Sequence, residues 1–271
     1  MAYKIGLVGL TNTGKSFSRK TLKKGEETFI ISPSHKALHI RDSKGSPLKA
    51  LDVLAPPNIN NINEFCTKLM CNKNALAGKL LKAANPFEVR GNHIVMKDIR
   101  YLESWINFVD KKMPHIKLLI LPDFTHYISE ILAQKEFIMR KAGGEAFQRF
   151  WELAADALNN FITSIDELRD DLLVVTEYHC EFNEATQMFE IYVPGGKMLK
   201  EKFLPDSYYD VLLYTHVMPN EDGIKTSDRY KFVTKRVDKY NARCMDLFED
   251  EYIPNDLQLV VDKVREYVGI N

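Results

Sequence analysis

Short apolar runs punctuate the first two thirds of the chain: YKIGLVG at 3–9, TFIIS at 28–32, HIVM at 93–96, KLLILPD at 117–123 and DLLVVTE at 171–177. Each is too short for a buried helix and reads as a strand buried on both faces. Between several of them apolar residues recur at helical spacing, as in INEFCTKLM near 62, LESWINFV near 102 and FQRFWELAADALNNFI from 147. Strand, helix and strand in repetition predict crossover units in an α/β domain, with a mostly parallel sheet flanked by helices. After Glu177 the pattern changes. QMFEIYV (187–193), DVLLYTH (210–216) and RYKFVTKR (229–236) are strand-like without long helices between them, which predicts C-terminal antiparallel edge strands. The chain closes on IPNDLQLVVDKVREYV, where Asn255 is the expected cap and Leu257, Val260, Val261 and Val264 share one helical face. APPNINNIN (55–63) reads as a loop and RDSKGSP (41–47) as a turn. The expectation is one domain over 1–271, with a hairpin and helix extension from about 185.

Composition refines this only slightly. With 271 residues, 45% of them apolar and 27% charged, the chain can bury a core and is not a disordered polymer. The net charge of zero does not exclude a basic face offset elsewhere. Cys66, Cys71, Cys180 and Cys244 lack the paired spacing of a zinc site, and no secretory leader precedes the first strand, so reduced thiols in a cytosolic protein are expected. No apolar run approaches the ~20 residues a membrane-spanning helix needs.

The chemistry begins at GLTNTGKS, residues 9–16. Gly9, four residues, Gly14, Lys15 and Ser16 match the phosphate-loop spacing in full, with a strand before and a helical pattern after. In such a loop backbone amides and a helix N-terminus face the phosphates, the lysine meets the outer phosphates, and the serine hydroxyl binds magnesium. Gly9, Leu10, Thr11, Asn12, Thr13, Gly14, Lys15, Ser16 and Phe17 are therefore the candidate nucleotide-binding residues. Such a site needs an acidic partner for Mg2+ at a nearby strand end, and KLLILPDFTHY supplies Asp123. LLVVTEYHCE places Glu177 and His179 at the next strand end, where a sensor or water-orienting group belongs. Lys15, Asp123, Glu177 and His179 are the candidate catalytic residues, and Ser16 and Asp123 the candidate metal ligands.

These residues resemble the RecA-like P-loop ATPases of tailed phages, the phage AAA or nucleotide-binding proteins related to the Sak single-strand annealing group. The similarity runs over nearly the whole chain: VGLTNTGKS, FIISPSHKALHI, KLLILPDFTHYI, LRDDLLVVTEYHCE, GGKMLKEKFLPDSYYDVLLYT, YKFVTKR and LFEDEYIPNDL. The resemblance implies a RecA-like core that binds ATP and Mg2+, assembles as a ring or filament with nucleotide at subunit interfaces, and acts on single-stranded DNA in annealing or recombination, in the cytoplasm of a bacterial host. It also implies a basic residue reaching the nucleotide from a neighbouring subunit, for which Lys231, Lys235 and Arg236 are candidates. The chain departs from the pattern twice. Ser34 and His35 stand where a glutamate usually activates the attacking water, and Pro122 replaces the first of two aspartates at the magnesium strand.

Residues 180–202 combine Phe182, Phe189 and Tyr192 with Gly195, Gly196, Lys197, Lys200 and Lys202, a mixture suited to stacking bases and holding phosphates. The alternation in QMFEIYV equally suits a hairpin whose aromatics face the core. Lys197, Lys200 and Lys202 are the candidate DNA contacts. Two rival readings remain: a nucleotide-dependent oligomeric binding protein with little hydrolysis, and a small-molecule kinase, disfavoured by the absence of a compact arginine cluster.

Overall fold

The structure is a computed structural model and describes residues 2–23, 27–32, 87–90, 93–96, 102–129, 132, 150–220 and 225–270. In chain order its elements are β1 (Tyr3–Gly9), β2 (Thr28–Ser32), β3 (Phe87–Arg90), β4 (His93–Met96), α1 (Leu102–Lys112), β5 (Leu118–Leu121), α2 (Phe150–Ser164), β6 (Leu173–Asn183), β7 (Met188–Ile191), the one-turn α3 (Lys197–Lys200), β8 (Val211–Val217), β9 (Tyr230–Val233), β10 (Arg236–Val237), β11 (Tyr240–Asn241), β12 (Tyr252–Pro254) and α4 (Leu257–Val268). The apolar runs thus become strands, and α1, α2 and α4 form where the helical spacing places them. The expected helix near 62, the loop at 55–63, the turn at 41–47, Ser34, His35, Cys66 and Cys71 lie outside the described residues.

How the strands pair corrects the expected architecture. The sheet runs β12-β9-β8-β1-β6-β5-β2-β4-β3, and antiparallel pairs occupy both of its edges. The decisive feature is β6. It does not stop at Glu177 but continues to Asn183 and turns back as β7, which pairs in turn with β11 and β10. Eight strands, β12-β9-β8-β1-β6-β7-β11-β10, thereby curl into a half-barrel. Four of its seven neighbour pairings are antiparallel. Rings close the curl: Tyr240 stacks on Phe189 at 5.3 Å, and its hydroxyl meets His216 Nδ1 at 2.8 Å. The mostly parallel, helix-flanked sheet of a RecA-like core is therefore replaced by a mixed sheet with a mostly antiparallel half-barrel and, among the described residues, few helices. The physical reason is that the second half of β6 is paired by a hairpin and packed by aromatics, which leaves no place there for a crossover helix.

Strands β2 and β5 and the first half of β6 are buried on both faces. Leu119, Leu121 and Val174 join Leu102, Ile106, Val109, Leu158 and Ile162 in one cluster. Leu118, Ile120, Leu173 and Val175 join Leu257, Val260, Val261 and Val264 of α4 in the other. The expected cap of α4 is displaced by one residue. Asp256 Oδ1 accepts the Leu259 N–H at 3.0 Å, while Asn255 is buried before the helix starts. Among the described residues no helix is long and apolar enough to cross a membrane.

Candidate functional site

Strand β1 is the buried centre of the sheet, parallel to β6 on one side and β8 on the other, and it delivers residues 9–16 at its C-terminal end. The turn that follows needs its glycines. A Cβ on Gly9 would lie 1.8 Å from Thr215 Oγ1, and Gly14 adopts φ +106° with the Tyr230 ring and Asn255 against it. Asn12 also takes a left-handed conformation, φ 64°, which asparagine tolerates. The Thr13 hydroxyl fixes the turn by donating to Leu10 O at 2.7 Å and lies 2.5 Å from Thr215 Oγ1. The segment leaving the loop, Ser16–Thr21, is a 3-10 helix, with the Ser18 N–H bonded back to Gly14 O at 3.0 Å.

Beside this turn opens a cleft of about 830 Å3, lined by residues 10–17 of the loop together with Lys20, Asp123, His179, Thr226, Ser227 and Tyr230. All the candidate nucleotide-binding residues except Gly9 line it, and Gly9 is the strand end that starts the turn. Lys15 is buried, and its ammonium donates to Gly9 O at 2.5 Å and to Leu10 O at 2.8 Å. Its charge is thus held at the floor of the loop by carbonyls. Asp123 follows β5 with φ 53° and starts the helical segment 124–129, its carbonyl accepting the His126 N–H at 2.8 Å. His179 lies level with Gly9 across the β1–β6 pair. Its backbone N–H donates to Thr125 Oγ1 at 3.0 Å, and its Nε2 lies 3.7 Å from Asp123 Oδ1. The cleft so joins a lysine, a serine hydroxyl, a carboxylate and an imidazole. The Ser16 hydroxyl and the Asp123 carboxylate are hard oxygen donors on one cleft, a set that suits a Mg2+ ion completing its shell with phosphate oxygens and water.

Glu177 takes another place. It is buried beneath the loop, where its two carboxylate oxygens accept from Arg19 Nε at 2.8 Å and Arg19 Nη2 at 2.6 Å, with the arginine 3% and the glutamate 1% exposed. This bidentate pair ties the 3-10 helix to β6, and Glu177 is not among the residues lining the cleft.

The cleft also carries an aromatic and cationic group, with Phe17 and Tyr230 at 5.4 Å between centroids and Lys20 Nζ 3.2 Å over the Phe17 ring. Lys20 was open to sequence reasoning, since it lies four residues after Ser16. Thr226, Ser227 and Tyr230 arrive from the C-terminal third; Tyr230 opens the YKFVTKR segment, in which the sequence resemblance marks only Lys231, Lys235 and Arg236.

The remaining candidates lie elsewhere. Lys197 is exposed and pairs with Glu201 at 3.7 Å, Lys200 pairs with Glu181, and Lys202 pairs with Glu152 at 2.8 Å. Lys231 lies on β9 opposite His216, Lys235 donates to Glu249 O at 2.7 Å, and Arg236 is exposed on β10. Phe182 and Tyr192 are exposed near the β6–β7 hairpin, and Lys239 Nζ lies 5.1 Å from the centre of the Phe182 ring. Phe189 instead packs inward against Tyr240. Cys180 and Cys244 are buried free thiols, and burial pushes the Cys180 thiol up to about 11, so it is unreactive at neutral pH. No protein-family model and no curated protein matches the chain.

Proposed function

We propose that the chain binds a magnesium–nucleoside triphosphate, ATP, in the cleft beside residues 9–16 and hydrolyses it slowly while acting on single-stranded DNA in annealing or recombination. The observation that carries this reading is the convergence of Lys15, Ser16, Asp123 and His179 on one cleft at the C-terminal end of the central strands. The loop supplies backbone N–H groups to the phosphates, and Lys15 leaves the Gly9 and Leu10 carbonyls to meet the outer ones. Ser16 and Asp123 would hold Mg2+, which would supply neutralisation of the phosphate charge. Phe17, Lys20 and Tyr230 take the base end.

With Glu177 committed to Arg19, His179 is the group placed to orient the attacking water, positioned by Asp123 and by the Thr125 hydroxyl. The water oxygen bonds to the terminal phosphorus as the bond to the bridging oxygen breaks. ADP leaves, and the water's proton ends on the released phosphate. Among the described residues the carboxylate of the cleft, Asp123, is given to the metal and Glu177 to Arg19, so the proposed turnover is slow.

The DNA part of the proposal rests on the sequence resemblance and on Phe182, Tyr192 and Lys239, which offer ring faces and a cation near the hairpin. The same fact about Glu177 favours a second reading, in which bound nucleotide is an assembly switch without turnover. Phosphate release by the purified protein, measured with and without single-stranded DNA, separates them. Turnover stimulated by DNA is expected; stoichiometric ATP binding with no release supports the switch, and no binding at all contradicts both.

A further inference from the structure

Asn255 is a buried polar residue against the loop whose side chain the proposed function leaves without a task. It sits between β12 and α4, 7% exposed, and its backbone N–H donates to Tyr230 O at 3.2 Å. Among the described residues neither its Oδ1 nor its Nδ2 has a hydrogen-bond partner. Burying a carboxamide without partners is costly, and native structures rarely keep one without a reason. The reason expected from sequence, a cap on α4, does not apply, because Asp256 caps that helix.

The neighbour of this amide is the loop itself. A Cβ on Gly14 would lie 3.2 Å from Asn255 Oδ1 and 3.3 Å from its Cγ, so the side chain rests against the Gly14 α-carbon. Two features mark the loop as able to take a second arrangement. The Lys15 ammonium is engaged by the carbonyls of Gly9 and Leu10, and the segment behind it is wound as a 3-10 helix. A phosphate that draws Lys15 away frees those carbonyls and shifts the peptides around Gly14. A carboxamide carries both donors and an acceptor, so it can meet either an N–H or a C=O of that backbone.

We infer that Asn255 is a positioning residue for the loop: its carboxamide gains its hydrogen bonds from the peptides flanking Gly14 when phosphate binds, and so favours the loaded loop over the empty one. This rests on reading residues 9–16 as a phosphate loop. Asn255 touches no ligand in this account, so its effect depends on the phosphates and is indifferent to the base. The C-terminal strand and α4 thereby sense the state of the loop.

The test compares wild type, Asn255→Leu and Asn255→Ala by calorimetric titration with Mg–ATP and with magnesium tripolyphosphate, alongside melting temperatures without ligand. Leucine is close in volume and has no polar atoms to leave unpaired. Asn255→Leu should keep or raise the ligand-free melting temperature while weakening both ligands about tenfold, which is about 1.4 kcal/mol. Asn255→Ala should lower the melting temperature by leaving a cavity and show the same tenfold loss. Wild-type affinity in the leucine variant, or a loss confined to ATP, overturns the inference while leaving the site intact. If wild type binds neither ligand, the phosphate-loop reading fails and takes the inference with it.

Discussion

Glu177 and His179 stand two residues apart on the same face of β6, about 6–7 Å along the strand, and that step separates a buried anchor from a group in the cleft. Glu177 lies opposite Leu7, under the 3-10 helix that brings Arg19 onto it, whereas His179 lies opposite Gly9, where the loop turns away. Removing one partner of so buried a pair leaves the other charged and unsolvated, which costs about 3–5 kcal/mol. Glu177→Gln should therefore lower stability by about that amount in urea denaturation. The double replacement Arg19→Met with Glu177→Leu should recover most of it, because it buries no orphaned charge. A Glu177→Gln protein of unchanged stability that has lost turnover would instead give Glu177 a catalytic role. From sequence, Glu177 and His179 looked alike as strand-end polar residues. Their difference depends on Arg19, whose position follows from the winding of Ser16–Thr21 and from no motif.

The half-barrel is held by side chains that meet across its curl. His216 of β8 pairs with the Tyr240 hydroxyl of β11 and contacts Tyr252 of β12. Burial holds the His216 imidazole below its usual range, with Asp238 pulling weakly the other way, and His115 is lowered likewise by burial and by Arg169 and Lys117. Between the folded and unfolded titration ranges the unfolded chain binds more protons, so stability rises with pH there. The melting temperature should accordingly fall as pH drops from about 7 toward 5, starting near the unfolded histidine value of about 6.5. His216→Gln, which keeps a hydrogen-bonding group without the titration, should flatten that slope; an unchanged slope would show that His216 does not feel the curl as described. Elements were unevenly legible. β1, β5 and the apolar face of α4 show in the pattern because each is buried by its own residues. The continuation of β6 through Glu181, Phe182 and Asn183 does not, since those residues are partly or fully exposed and resemble a loop. The cap of α4 misled by one position because Asn255 and Asp256 are both good capping types, and only the geometry decides between them.

For the molecule as a whole, that unread half-strand is what separates the expected parallel sheet from the mixed sheet with its half-barrel. The loop at residues 9–16 was legible because its spacing is dictated by backbone geometry, and Asp123 and His179 because each follows an apolar run, although only Asp123 lies past its strand while His179 sits within β6, level with the end of β1. The wall made by Thr226, Ser227 and Tyr230 was not, because it is brought to the loop by the start of β9 and the 3-10 turn before it, Thr226–Arg229, from more than 200 residues away in sequence. The central claim is that this assembled cleft binds a magnesium–nucleoside triphosphate through Lys15. Calorimetric titration of wild type and Lys15→Ala with Mg–ATP tests it most directly. A hydrogen-bonded charge pair contributes about 1.5–3 kcal/mol, so the account predicts saturable binding by wild type and affinity weaker by about 100-fold in the variant. Equal affinity in the two proteins, or no binding by wild type, would contradict it.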